Sequence, residues 1–237
     1  MRYALYFSPA ADHPLTKTAS RWLGRDAFND ERVETAVVEG ISEEDVHALT
    51  ADPRRYAFHA TLKAPFELAE GRSEAELLNA FERFAAATPG FDIPNAVIGQ
   101  LGRFFALVPD QVYPELQAFA ARVVQDFEPF RAPLSDADIA RRKPENLSPE
   151  HRDNLMTWGY PYVMDEFRFH MTLTGQVPPE QAPAMRKALE TRFADFTNAP
   201  LSINGVALFV EPERGADFTV HRWLPLAPAS DIRKTTP

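Results

Sequence analysis

Two short words of one form, His59-Ala60-Thr61-Leu62 and His170-Met171-Thr172-Leu173, occur one in each half of the chain. Each lies in a stretch that alternates apolar and polar residues. Phe167, Phe169, Met171 and Leu173 interleave with Arg168, His170, Thr172 and Thr174, and Phe58, Ala60 and Leu62 with His59, Thr61 and Lys63. A period of two is the signature of a β-strand with one face on a core. Residues i and i+2 then point the same way, so each word sets an imidazole beside a hydroxyl on the polar face. Two such strands in one chain predict a fold that brings two polar strand faces to a common cleft.

The rest of the pattern alternates strands and helices. Residues 2–8 read as a strand ended by Pro9, and Thr16 to Leu23 as a short helix. Ser42 with Asp45 three residues on predicts a helix start, and Pro53 predicts its stop. A first motif strand follows over 56–63, ended by Pro65. Ser73-Glu74-Ala75-Glu76 is a capping box for a helix burying Leu77, Phe81 and Phe84. Strands over 91–100 and 103–108 turn at Gly102. A helix marked by Leu116, Phe119, Val123 and Phe127 comes next. The proline-rich segment 128–155 predicts only short helices, at Ser135 and at Ser148-Pro149. The second motif strand is expected over 167–174, then a helix after Pro178-Pro179, and strands over 201–210 and 217–224.

The two halves repeat one order: strand, helix, motif strand, helix, strand. Ile93 follows His59 by 34 residues and Ile203 follows His170 by 33 residues. Phe104 to Pro109 mirrors Tyr3 to Pro9 as the opening strand of a cycle. The expected fold class is therefore α+β: a single bilobal, duplicated domain over 1–228, with two antiparallel-rich sheets around a central cleft and helices outside. The lobes fall at about 1–101 and 102–226, with a disordered tail over 229–237.

Composition limits the partners. Net charge is −9, from 25 Lys+Arg against 34 Asp+Glu, which opposes non-specific grip on a long nucleic acid. It leaves room for a small phosphorylated ligand held by local positive groups. With no cysteine, thiolate metal sites and a cysteine nucleophile are excluded. No apolar run is long enough for a membrane span, and the N-terminal apolar stretch is too short for a secretory signal. The expectation is a soluble cytoplasmic protein. Its oligomeric state stays open, a monomer being sufficient.

Paired histidines suit one reaction class. Hydrolysis of a phosphodiester needs a base for the attacking water and an acid for the leaving oxygen. Imidazole can fill either role near neutral pH. The hydroxyls of Thr61 and Thr172 would donate to the phosphate oxygens. Lys63 continues the first polar face and is a third candidate for the phosphate. No metal and no cofactor are called for.

The paired His-x-Thr-hydrophobic words resemble those of the two-histidine (2H) phosphoesterase superfamily, which includes RNA ligase-like cyclic phosphodiesterases. The wider words Tyr56-Ala57-Phe58-His59-Ala60-Thr61-Leu62-Lys63-Ala64-Pro65-Phe66 and Phe167 to Gly175 are similar to a branch often encoded beside phosphonate-degradation genes, the DUF1045-like branch. The resemblance runs over roughly residues 1–226. It implies that His59 and His170 are catalytic and that Thr61 and Thr172 bind phosphate. It also implies a small cyclic phosphodiester as the substrate class, a cyclic nucleotide or the ribose cyclic phosphate that C–P bond cleavage yields in such pathways. The segment 128–160 is longer than in the simplest members, which bears on substrate size.

Three rival readings stand beside this one. A metal site would need carboxylates near the words, and neither word contains one. A non-catalytic module that binds a nucleotide or phospho-sugar would not need two proton carriers. An RNA-end-processing phosphodiesterase would have to overcome the acidic balance. Arg54 and Arg55 read as solvated, Arg168 as a surface charge, and His13, His47, His151 and His221 as surface residues without matched partners.

Overall fold

The computed structural model describes residues 1–35 and 37–229. The fold is α+β. Its elements are β1 (Arg2–Phe7), α1 (Pro14–Leu23), β2 (Arg25–Asp26), β3 (Glu31–Arg32), α2 (Glu43–Leu49), α3 (Ala51–Tyr56) and β4 (Ala60–Phe66). Then come α4 (Glu74–Ala87), β5 (Phe91–Leu101), β6 (Phe104–Pro109), α5 (Pro114–Asp126), α6 (Asp136–Arg141) and α7 (Pro149–Trp158). Last are β7 (Met171–Thr172), α8 (Ala182–Arg192), β8 (Ala199–Ile203), β9 (Gly205–Glu211) and β10 (Thr219–Pro225). The expected tail falls almost wholly outside the described residues.

Eight strands form one antiparallel sheet in the order β10-β9-β1-β4-β7-β6-β5-β8, and β2 pairs with β3 in a separate small hairpin. The two sheets expected for the lobes are thus joined. The join is narrow: β4 meets β7 through the single pair Ala60↔Met171. Outward from that pair the order is alike on both sides: the motif strand, the strand that opens its half, then a strand that follows the next helix. The expected lobe boundary at 101/102 is corrected by this sheet. It cuts the β5–β6 hairpin, where Leu101 pairs with Phe104 around Gly102, whose φ is 62°. A short turn forces β5 beside β6, so the late strand β9 completes the other side against β1.

One face of the sheet is packed against helices. Leu5, Phe7, Leu62, Phe105 and Met171 share a buried core with Trp22 of α1, Phe81 of α4, Phe119 of α5 and Leu189 of α8. Ser73 makes the expected capping box with Glu76. On the other face Tyr6, Phe209 and Phe218 form a smaller cluster, and there the sheet is left partly open.

Local departures from the sequence reading have physical causes. The helix from Ser42 does end before Pro53, at Leu49, but α3 begins at once with Pro53 in its first turn. Proline is harmless there because the first N–H groups of a helix lack acceptors in any case. Residue 56 is therefore helical, and the motif strand starts only at Ala60. Pro65 lies inside that strand rather than after it. The β1–β4 register slips between Tyr3↔Phe66 and Leu5↔Lys63, and again between Leu5↔Lys63 and Tyr6↔Thr61. Each slip inserts one extra residue in β4, a bulge that absorbs the missing proline N–H and breaks the alternation. The second motif strand shrinks from 167–174 to Met171–Thr172. Its flanks are instead tied by other bonds: Phe105 N donates to Thr174 Oγ1 at 2.9 Å, and Trp22 Nε1 to the Leu173 carbonyl at 2.8 Å. The strand expected over 201–210 is two strands broken at Asn204.

Candidate functional site

The pair Ala60↔Met171 fixes how the two words meet. Both side chains are buried in the helix-packed core, so their chain neighbours face the other way. Extended one residue each way, an antiparallel register sets His59 opposite Thr172 and Thr61 opposite His170. The four polar side chains thus occupy the corners of a rectangle, with like residues on its diagonals. All four line one cleft of about 320 Å³ on the open face of the sheet.

His59 is the more deeply held. Its ring stacks on Tyr6 with centroids 3.9 Å apart. Nδ1 lies 2.9 Å from the Ala57 carbonyl, and Nε2 lies 3.1 Å from Thr61 Oγ1. A carbonyl only accepts, so Nδ1 carries the proton and Nε2 of the neutral ring is the free base. Ala57 reaches this position through the turn after α3, at φ 63° and ψ −178°, a region that costs a non-glycine residue on the order of 1–3 kcal/mol. His170 is built alike: its Nδ1 donates to the Arg168 carbonyl at 2.7 Å, which again leaves Nε2 for the cleft. Its ring packs near Phe104 at 5.8 Å. Burial pushes the His59 imidazole down to about 4, with the nearby His170 adding to the effect and the Ala57 hydrogen bond opposing it. Burial also lowers His170, against the pull of the Arg168 carbonyl.

Lys63 does not join them. The bulge between Thr61 and Lys63 turns its side chain to the opposite face, where it is 2% exposed. Its Nζ donates to Glu128 at 2.7 Å and to the Val124 carbonyl at 3.1 Å. The expectation that Lys63 binds the phosphate is corrected: the ammonium ties β4 to the end of α5. Lys63→Met is expected to cost about 1–3 kcal/mol in chemical denaturation, because it orphans a buried carbonyl. It should leave kcat/KM within about twofold, since no catalytic contact is lost. A larger loss in a folded variant would return Lys63 to the phosphate.

Other assignments also change. Arg54 is buried, not solvated: it donates to the Leu23 and His47 carbonyls and to Thr50 Oγ1. Arg55 lies over the Tyr56 ring at 4.2 Å and pairs with Glu211. Arg168 is exposed and serves through its carbonyl alone. Each remaining histidine has a structural contact: His13 caps α1, His47 meets Arg54, His151 pairs with Glu166 and His221 with Glu74.

The sequence reading missed Tyr6, Tyr56, Tyr160 and Arg142, which also line the cleft. Tyr6 had a signal only in pairing: it stands opposite Thr61 on β1. Tyr160 follows Gly159, whose left-handed turn (φ 78°) ends α7 and redirects the chain into the cleft. Among the described residues no group of three or more His, Asp or Glu gathers as a metal ion would require, and no helix is long and apolar enough to cross a membrane.

Two curated relatives are similar over nearly the whole chain, both named ribose 1,5-bisphosphate phosphokinase PhnN. That of Janthinobacterium sp. (strain Marseille) is 38% identical over 230 residues, 95% of this chain and 51% of the relative. That of Laribacter hongkongensis (strain HLHK9) is 35% identical over 240 residues, 100% of this chain and 55% of the relative. The chain thus spans about half the length of the curated relatives it matches. Among solved structures, E. coli LigT complexed with ATP aligns at TM-score 0.41 with 15% identity, covering 95% of this chain and 97% of that one. TT0787 of Thermus thermophilus aligns at TM-score 0.40 with 17% identity, covering 96% and 99%. Residues 61–219 match the model of the family described as "Protein of unknown function (DUF1045)", and the chain belongs to that family.

Proposed function

We propose that this chain is a phosphoesterase that opens a small cyclic phosphodiester by paired histidine acid–base catalysis. The observation that carries the reading is the matched commitment of both Nδ1 atoms to backbone carbonyls. It leaves two Nε2 atoms on diagonal corners of one polar rectangle. A phosphate between them would meet a proton acceptor on one side, a proton donor on the other, and a threonine hydroxyl beside each.

In the step we infer, a water oxygen forms a bond to phosphorus as the bond from phosphorus to one ring oxygen breaks. The water's proton passes to Nε2 of the basic histidine, and the acidic histidine gives its proton to the departing oxygen. The product is a phosphate monoester and a hydroxyl, and the pair ends with its protons exchanged. His59 suits the base, since its burial and stacking keep it neutral. His170, less enclosed, suits the acid. The bound phosphate's negative charge favours protonation of both rings.

The kinase name of the relatives does not describe this half of them well. The 237 residues contain no G-x-x-x-x-G-K-S/T loop, the backbone cradle expected of many phosphoryl-transfer enzymes. We read the kinase as residing in the part of those relatives beyond the match. The name still bears on substrate. Opening ribose 5-phosphate 1,2-cyclic phosphate at O2 yields ribose 1,5-bisphosphate, the compound the kinase is named for, and that starting material is a ribose cyclic phosphate, the class the family resemblance implies.

The test is a panel of 2′,3′-cyclic nucleotides, ADP-ribose cyclic phosphate and ribose 1,2-cyclic phosphates, with the product identified by phosphorus NMR. A monoester formed from at least one member is expected. No turnover across the panel would leave the cleft a binding site. The pH dependence is a second check. The base must be unprotonated and the acid protonated, and both rings titrate below the usual imidazole value in the free protein. The profile of kcat/KM should therefore be a bell with its maximum below neutrality, falling as pH rises through the upper limb. The kcat profile should lie at higher pH, because the bound anion lifts both rings. A kcat/KM maximum on the alkaline side would contradict the assignment.

A further inference from the structure

A second cavity, of about 770 Å³, adjoins the cleft, and Tyr56, Pro65 and Arg142 line both. Its wall carries Arg2, Arg55, Arg131, Arg141, Arg142 and Arg214 against Glu67 and Asp138, a local excess of positive charge in an acidic protein. Five of the six are paired: Arg2 and Arg55 with Glu211, Arg131 with Glu128, and Arg141 and Arg214 with Asp138. Arg142 is the exception. Among the described residues no carboxylate pairs with it, and its guanidinium rests over the Tyr160 ring at 4.9 Å.

The tyrosine hydroxyls that line the same cleft have no hydrogen-bond partner among the described residues either. Tyr6 is 1% exposed, yet among the described residues tyrosine hydroxyls donate only from Tyr3 and Tyr113. No fully buried side-chain oxygen among the described residues lacks a partner, so the sliver of Tyr6 that stays open is its hydroxyl, facing the cleft. A donor held there without a protein acceptor favours a ligand that accepts from it. Burial holds the hydroxyls of Tyr6 and Tyr160 above their ordinary value, so they remain donors. Arg142 and Tyr160 both come from the long irregular segment, Arg142 as the residue that ends α6 and Tyr160 after the Gly159 turn.

We propose that Arg142, with the hydroxyls of Tyr6, Tyr56 and Tyr160, forms a second anion subsite that holds a terminal phosphate monoester of the substrate. This rests on the reading of the cleft as a cyclic phosphodiesterase and deepens it: the substrate carries two phosphates, one cyclic and one terminal. A guanidinium offers the bidentate donors that a terminal phosphate matches, and protonated tyrosine hydroxyls donate to an anion without adding charge. The segment that carries Arg142 and Tyr160 would then be the specificity element of the fold.

The experiment compares ribose 5-phosphate 1,2-cyclic phosphate with the same cyclic phosphate lacking the 5-phosphate. The wild-type protein should favour the former in kcat/KM by roughly 10- to 100-fold, the range expected for a charge-assisted bond. Arg142→Gln should collapse that ratio toward one, and Arg142→Lys should restore part of it. A wild-type protein without the preference, or a ratio unmoved by Arg142→Gln, would overturn the subsite. Calorimetry gives a readout free of turnover: ribose 1,5-bisphosphate should bind more tightly than ribose 1-phosphate, and Arg142→Gln should erase the difference. Turnover without preference removes the subsite and keeps the phosphoesterase. Binding preference without turnover on any cyclic phosphate keeps the subsite and removes the phosphoesterase.

Discussion

His59→Ala and His170→Ala are each expected to lower kcat on a confirmed cyclic phosphate by about 10²–10⁴-fold, or about 3–5 kcal/mol of barrier. In the proposed mechanism each substitution removes one proton transfer and leaves the other. The double variant should fall by less than the product of the two, because acid and base act in one event. Thr61→Val and Thr172→Val should cost less, about 1.5–3 kcal/mol for one hydrogen bond to an anion. Thr61 carries a second consequence, since its hydroxyl also donates to His59 Nε2 in the free site. Rates before and after dialysis against a chelator should agree. Single-turnover measurements on both histidine variants decide the matter. Wild-type turnover in either would place the chemistry elsewhere, and loss on chelation would bring in a metal.

The largest expected loss of stability comes from Arg54→Ala. Arg54 bonds the Leu23 carbonyl at 2.6 Å, the His47 carbonyl at 2.9 Å and Thr50 Oγ1 at 2.6 Å. It thereby fastens α1, α2 and α3 to one another. Removing the guanidinium orphans the Leu23 carbonyl, leaves the His47 carbonyl only the Thr50 hydroxyl at 3.3 Å, and opens a cavity between three helices. The expected cost is about 3–5 kcal/mol, a fall in Tm of roughly 10 °C for a chain of this length. The effect should reach the cleft, because α3 ends in the strained turn at Ala57 whose carbonyl orients His59. A drop in kcat/KM that exceeds any unfolding at the assay temperature would show that coupling. A thermal midpoint unchanged by the substitution would mean that solvent replaces these bonds.

The sequence revealed most where local chemistry decides. The alternation around His59 and His170 was legible because a half-buried strand imposes it, and Ser42, Ser73, Ser135 and Ser148 all cap the helices their positions suggest. What stayed hidden depends on pairing between distant strands. Lys63 follows the polar alternation in sequence, and only the bulges opposite β1 turn it inward. Arg54 reads as a surface charge until three carbonyl and hydroxyl oxygens converge on it. Tyr6 looks like an ordinary strand aromatic until its register sets it against Thr61. Arg142 lies in a segment whose prolines and short helices give no period at all, so nothing local ties it to the histidines.

The exchange of strands across the middle of the sheet has a consequence for how the chain comes to be made. β1 sits between β4 and β9, so one of its neighbours leaves the ribosome long after it. Until then β1 presents an unpaired edge, a template for contacts with other chains. On the opposite half of the sheet β7, β6 and β5 can pair earlier, because all three are synthesised before α8, and only β8 comes as late as β9. Nascent protein arrested before β9 should therefore hold one nearly finished half and one sticky one. That second half is the one that carries His59, so chaperone demand during synthesis would fall on the side of the cleft assigned to the base.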